Sequence, residues 1–337
     1  MDTVYWIWLQ EIVRGVSMSL KRKLITIFLT PEAIYRAETK ALVRLGVSQD
    51  SLSAFFTGVA LDQAKRIAEH HAQLDIRQIN CLESGFRSGD FLVIYYRGQL
   101  SHLPSCAVVG TRECSAHGYH NTQAVCDDLV SQGIVVNSGL ALGIDGWAHR
   151  QTLARNGVTQ AFLAHGLSHC YPRDHSRLLS DILERGAAIT PFPSDVRPRR
   201  YHFALRNRLL AAWSDQMVVV EAPAQSGALQ TAAGAIELGR PVSTIDPGPS
   251  TSPYCQGNRQ LLGLGATPYR LANGQNLPDP SPNHPILDLL RQSLLTTDEL
   301  ISRLDLPSAQ VQETLLELSR QHWISFRGDG LWHLQGW

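Results

Sequence analysis

Between Cys106 and Arg270, short apolar runs alternate with helical patterns, and this alternation constrains the fold more than any other feature of the chain. The runs lie at 107–109, 134–137, 160–164, 187–190, 216–221 and 242–245. Each is too short for a helix and nearly continuous in hydrophobicity, as expected of a strand buried on both faces. Helical spacing fills the gaps at 119–132, 146–156, 176–185, 206–212 and 228–238. Such repetition predicts a parallel sheet with helices on both sides. In sheets of this kind, ligands bind outside the carboxyl ends of the strands. Polar clusters stand at those ends: Gly110 to Arg112, Ser138 to Asp145, His165-Gly166, Glu221 with Ser226-Gly227, and Asp246 to Gly248. A functional site is therefore expected along this rim.

The stretch AVVGTRECSAHG, 107–118, is the centre of that rim. A buried strand ends at Gly110, a polar loop follows, and a helix begins. Amides of such a loop and the helix start suit an anion. Thr111 offers a hydroxyl to a phosphate oxygen, and Arg112 offers a fork. Ser226 and Gly227, with Thr231, either hold a phosphate at a helix start or cap that helix. The stretch RPRRYHFALRNR, 197–208, holds Arg197, Arg199, Arg200, Arg206 and Arg208 with no acid between Asp195 and Asp215. Tyr201, His202 and Phe203 lie among them. Arginines neutralise phosphates and aromatic faces stack on splayed bases, a mixture that suits a single strand better than a duplex.

Composition narrows the function classes. Lys+Arg and Asp+Glu both total 30 in 337 residues, so a nucleic-acid site has to be a local patch. The six cysteines form no C-x-x-C pair; reduced thiols in a cytoplasmic protein are expected, with no metal. No P-loop, G-x-G-x-x-G, H-E-x-x-H or G-x-S-x-G motif occurs, and no cofactor is expected. Asp145 and Glu221 could act as a carboxylate pair at a nucleotide, or Asp145 could be an ordinary acid at a helix start. The first residues, MDTVYWIWLQEIVRG, carry Glu11 and Arg14 and are expected to form neither a signal peptide nor a membrane span.

Three further regions flank the core. Residues 1–75 read as a helical domain, with Thr30 as a cap and Pro31 at a first helical position. Residues 76–104 read as a connector strand around FLVIYY. After the core at 105–270, a Pro/Asn/Gly-rich linker spans 271–283 and a winged helix 284–337, with Gly328-Asp329-Gly330 as the hairpin turn. Its third helix, 307–321, sets Glu313 and Glu317 against Arg320, which disfavours a phosphate backbone. Trp323, Trp332 and Trp337 favour packing on protein instead.

The ordered motifs resemble the DNA-processing protein A family (DprA, also called Smf). They are VVGTR (108–112), SGLALGID (138–145) with Ala148-His149, HGL (165–167) with Tyr171-Pro172, and FALRNRLLA (203–211). VVVEA, SGALQTA and GRPV follow within 218–242, then DPG (246–248) and GN with LLGLGA within 257–266. The resemblance implies an extended Rossmann-like domain that binds single-stranded DNA without catalysis. It implies protection of incoming strands in natural transformation, loading of RecA recombinase, and a homodimer through the α/β domain. By motif, Arg112 is expected on a phosphate, and Arg200, Phe203, Arg206 and Asn207 along the strand path. Gly139 and Gly143 are expected to allow close backbone approach. Gly110, Thr111, Ser138, Arg199, Arg208, Ser226 and Gly227 complete the expected site. The chain departs from the family pattern at Thr111 (usually serine), Leu142 (usually arginine), His175 (asparagine nearby) and Ala204 (usually proline). The competing class is a nucleotide-binding or nucleotide-hydrolysing enzyme like the phosphoribohydrolases, whose P-G-G-x-G-T loop is absent.

Overall fold

The computed structural model describes residues 2–55, 58–87, 90–248, 252–274, 276–277 and 284–334. Its strands are β1 (Arg77–Asn80), β2 (Val93–Gly98), β3 (Ser105–Val109), β4 (Val135–Ser138), β5 (Thr159–Phe162), β6 (Ala187–Thr190), β7 (Gln216–Val219), β8 (Val242–Thr244) and β9 (Thr267–Pro268). They form one sheet in the order β1-β2-β6-β5-β4-β3-β7-β8-β9. From β6 to β9 every pairing is parallel. The apolar run of β3 is buried along its whole length at the middle of the sheet, as its composition dictates. Helices cover both faces: after the six helices of the amino-terminal region come α7 (Ala116–Ser131), α8 (Ile144–Ala154), α9 (Ser176–Arg185), α10 (Arg200–Trp213), α11 (Gly227–Glu237) and α12 (Gln256–Gly263).

The reading of 76–104 as one connector strand is corrected. The segment holds two strands; β1 pairs antiparallel with β2, and β2 pairs antiparallel with β6. The sheet is therefore mixed at this edge. Alternation explains why β2 belongs there: Ile94 faces the sheet's own core, while Val93 and Tyr95 face the helical region. Residues 81–92 carry no regular period, which hides the hairpin from a sequence reading.

The amino-terminal helices are α1 (Asp2–Ile7), α2 (Met18–Phe28), α3 (Pro31–Tyr35), α4 (Thr39–Arg44), α5 (Gln49–Phe55) and α6 (Gly58–Gln73), with a π-helical turn at Trp8–Ile12. Thr30 accepts from Ala33 N and Pro31 opens α3. Trp6, Trp8, Leu9, Leu24, Ile34 and Leu42 form their core together with Leu92, Val93 and Tyr95 of the sheet edge. The helices are thus built onto the sheet rather than tethered to it.

Residues 275 and 278–283 of the expected linker lie outside the described residues, as does Trp337. Beyond it, α13 (Pro285–Leu290), α14 (Thr297–Leu304), α15 (Ser308–Arg320) and the hairpin of β10 (Ile324–Phe326) and β11 (Trp332–Leu334) make the winged helix. A capping box of Thr296 and Glu299 starts α14. This unit docks on α7. Trp323 stacks on His120 with centroids 4.4 Å apart, and His322 meets Tyr119 and Trp147. Glu313 and Glu317 are exposed on α15. Among the described residues, no helix is long and apolar enough to cross a membrane.

Candidate nucleic-acid interface

Helix α10 carries the aromatic centre of the rim. Its buried stripe runs through His202, Arg206, Leu209, Leu210 and Trp213, the spacing of a helix face turned to a core. An arginine holds a place in that stripe because partners meet it there. Its Nη1 donates to Phe162 O at the end of β5 (3.0 Å). The Asp145 carboxylate, in the first turn of α8, faces it and also accepts from Gly139 N (3.1 Å). A Cβ on Gly139 would stand 1.5 Å from Arg206 Nη1 and 2.6 Å from Asp145 Oδ2, so only glycine leaves the guanidinium its place. Burial pushes the Asp145 carboxyl up and the Arg206 guanidinium down, while each charge favours the other and opposes the shift.

Above this pair sits Phe203, half-buried, one turn earlier on α10. The guanidinium carbons of Arg112 and Arg206 lie 5.4 and 5.8 Å from its ring centre, and Tyr171 meets it edge-on at 5.9 Å. The loop after β3 delivers Arg112 to this point. Thr111 N donates to Glu221 O (2.7 Å), and Ile144 N donates to Thr111 O (3.1 Å). Gly143 passes directly against the loop with φ +71°. A Cβ there would stand 2.3 Å from Thr111 O and 2.5 Å from Arg112 O. Arg112 is exposed, and so is Tyr171. The result is a cation and two aromatic rings presented to solvent over β3, β4 and β5.

The structure brings together Gly110, Thr111, Arg112, Gly139, Gly143, Phe203 and Arg206. Asn207 follows Phe203 by one turn on the same face and is half-buried. Arg199 and Arg200 are exposed at the start of α10. Three expectations are corrected. Ser138 is fully buried and its Oγ donates to Val108 O (2.6 Å), tying β4 to β3 rather than facing a ligand. Arg206 is 4% exposed, with its Nη1 on Phe162 O and its guanidinium beneath Phe203 rather than facing solvent. Arg208 lies five residues past Phe203, about 140° round the helix. There it pairs with Asp90 (2.8 Å), away from the ring. Thr111 spends its hydroxyl on its own turn, accepting from Glu113 N (3.3 Å). Ser226 caps α11, accepting from Leu229 N, and exposed Gly227 is that helix's first residue.

Tyr171 belongs to this group and is missing from the expected site. Its signal was in the sequence, as an aromatic in the loop beyond the third apolar run. Two of the buried histidines bond within the fold: His149 Nδ1 meets Thr159 Oγ1 (2.7 Å) and His175 Nδ1 meets Leu140 O (3.0 Å). Burial pushes His149 down to about 3, so it is neutral at physiological pH. Among the described residues, no group of three or more His, Cys, Asp or Glu is placed to hold a metal ion.

Glu221 and Asp145 do not form a working pair, because each is committed to its own partners. Glu221 accepts from Ser115 N (2.8 Å) and from the Ser115 hydroxyl at the start of α7. It is 6% exposed, and burial pushes its carboxyl up to about 7 against those hydrogen bonds. A carboxyl raised by folding binds its proton more tightly in the folded state. That stability is present below the ordinary value of 4.5 and is lost as pH rises through about 7. Glu221→Gln, which keeps an acceptor for Ser115 N, turns the other contact into a donor to the Ser115 hydroxyl and removes the charge, is therefore expected to melt a few degrees above the parent at pH 8. The gap should close toward pH 5. Parallel melting curves at all pH values would show that Glu221 is not the titrating group.

Comparison with known proteins agrees with this architecture. The family model described as DNA recombination-mediator protein A matches residues 88–276, and the DprA winged helix domain model matches 272–319. Protein Smf of Escherichia coli (strain K12) is 42% identical over 176 residues, 51% of this chain and 47% of that protein. DNA processing protein DprA of Bacillus subtilis (strain 168) is 32% identical over 177 residues, 52% of this chain and 59% of that one. The chain thus spans about half the length of the curated relatives it matches. The X-ray structure of DNA processing protein A from Streptococcus pneumoniae superposes with a TM-score of 0.67 at 25% identity, over 81% of this chain and 96% of that one. DNA processing protein A from Helicobacter pylori, solved for its single-stranded DNA binding mode, shares the fold with a TM-score of 0.51 at 24% identity, over 57% and 89%. With more than half of its residues under one family model, the chain belongs to the DNA recombination-mediator protein A family.

Proposed function

We propose that the chain binds single-stranded DNA along the rim of its sheet and serves as a recombination mediator, not as an enzyme. The observation that carries this reading is the Arg112–Phe203 contact, flanked by Tyr171, at the strand ends. An exposed guanidinium over a half-buried ring, with the exposed Tyr171 ring at its edge, can serve a phosphate and a base of one strand at once. A duplex keeps its base faces stacked inside and leaves the rings nothing to stack on. The Helicobacter pylori relative, described for single-strand binding, supports the assignment. Within the same reading the chain shields incoming strands in natural transformation and loads RecA recombinase onto them. It acts in the cytoplasm, as a homodimer joined through the α/β domain.

The test is a pair of anisotropy titrations over a salt series, with single-stranded and duplex DNA, beside incubation with AMP. Tighter single-strand binding is expected, with log affinity falling by about 0.7 per log salt for each phosphate contacted. AMP should remain intact. Equal affinity for the duplex or a flat salt response removes the single-strand reading, and AMP hydrolysis favours the enzyme.

A further inference from the structure

A second concave surface lies away from the rim, where the helical region meets the α/β core. It is a cleft of about 980 Å³, the size range of nucleotide-sized ligand sites. One wall comes from the amino-terminal helices and contributes Arg14, Arg66 and His70. The other comes from the segment that leads into α10 and contributes Arg197, Arg199 and Tyr201. All four arginines are exposed, and among the described residues none of the four stands in an ion pair. The acids of the cleft, in contrast, are engaged. Glu11 accepts from Gln10 (2.8 Å) and from the Tyr95 hydroxyl (3.2 Å), and Asp195 meets His70 at 3.3 Å.

Four guanidiniums gathered round one hollow repel one another, and low-dielectric walls focus their field into it. An anion with several oxygens relieves that repulsion, and the guanidinium fork matches a phosphate. Tyr201 adds a base-sized surface. It is 58% exposed and is held from behind by His202 (4.3 Å, edge-on), whose ring lies against Phe192 (4.2 Å). Tyr201 and Phe203 stand two residues apart on the first turn of α10, so they point to different sides of the helix. Tyr201 turns to the cleft and Phe203 to the rim.

We infer that this cleft is a second phosphate-binding site for nucleotide chemistry, filled either by the continuation of a strand crossing α10 from the rim or by a free nucleotide. The first source rests on the single-strand reading of the rim; the second does not. The test uses the full chain and the variant Arg14→Ala/Arg66→Ala, whose two positions lie outside the rim. Three probes are titrated: oligothymidylates of about 6 and about 20 nucleotides, and AMP. If the strand continues into the cleft, the variant binds the long oligonucleotide roughly tenfold more weakly, with a salt slope smaller by about two contacts. Its affinity for the short one is unchanged. If a free nucleotide is the occupant, AMP binds the parent, the variant loses it, and both oligonucleotides bind alike. A variant that matches the parent on all three probes overturns the proposal. Should the parent bind neither oligonucleotide, the rim reading fails and AMP alone decides the cleft, with no AMP binding overturning it.

Discussion

Asp145→Ala is expected to destabilise the chain by about 1–3 kcal/mol, the cost of stranding buried polar groups, because Gly139 N loses its acceptor and the Arg206 guanidinium loses the charge it faces. Asp145 is 7% exposed and Arg206 4%. The acid is the charge that permits a guanidinium inside the buried stripe of α10. Without it, Arg206 keeps one carbonyl, Phe162 O, and no countercharge from Asp145. Arg206→Met should cost a similar amount, because it leaves Asp145 with backbone partners and a buried negative charge. The double variant Asp145→Ala/Arg206→Met should recover much of the loss, since neither charge then remains and methionine fills the space. Urea denaturation of the four proteins measures the cycle. Additive single losses would show that the two groups are not coupled and that the core tolerates each charge alone.

That pair also marks where a sequence reading stops. The strands were legible because an apolar run of four residues between helices has few other fates in a chain of this kind, and β3 and β4 sit where the pattern put them. The rim followed from the parallel order. The exposure of its arginines did not. RPRRYHFALRNR reads as one basic stretch, but the helix separates its members: Arg206 into the core, Arg208 to Asp90, Arg199 to the inter-domain cleft. The helical period held part of the answer, since Arg206 falls in step with Leu209, Leu210 and Trp213. What it could not supply was the partner, which comes from Asp145 on another helix and passes a glycine on the way. Ser138 misled for a related reason. A hydroxyl at a strand end is equally able to face a ligand or bridge to the next strand, and the short reach to Val108 O decides for the bridge. The cleft lay beyond reach altogether, because Arg14 and Arg66 meet Arg199 only once the chain has folded.

Phe203→Ala is expected to weaken single-strand binding by about 1–3 kcal/mol, roughly 5- to 150-fold, if a base stacks on this ring. The ring is placed for that use. The guanidiniums of Arg206 and Arg112 lie over it, its edge meets Tyr171, and Arg112 is exposed to solvent. Arg112→Ala should act through a different quantity. It removes one phosphate contact, so the salt slope falls by about 0.7 and the loss shrinks as salt is raised. Phe203→Ala, in contrast, should cost the same at every salt concentration, because stacking releases no counterions. The double variant reads the contact between them: Arg112 lies within cation–π distance of Phe203, so each orders the other, and the two losses should combine to less than their sum. Phe203→Leu keeps apolar bulk on the half-buried side but offers no flat face, and should bind nearly as poorly as alanine while melting close to the parent. Parent-like binding by Phe203→Leu would mean that the residue serves packing alone, and the base would have to be sought on Tyr171 or Tyr201.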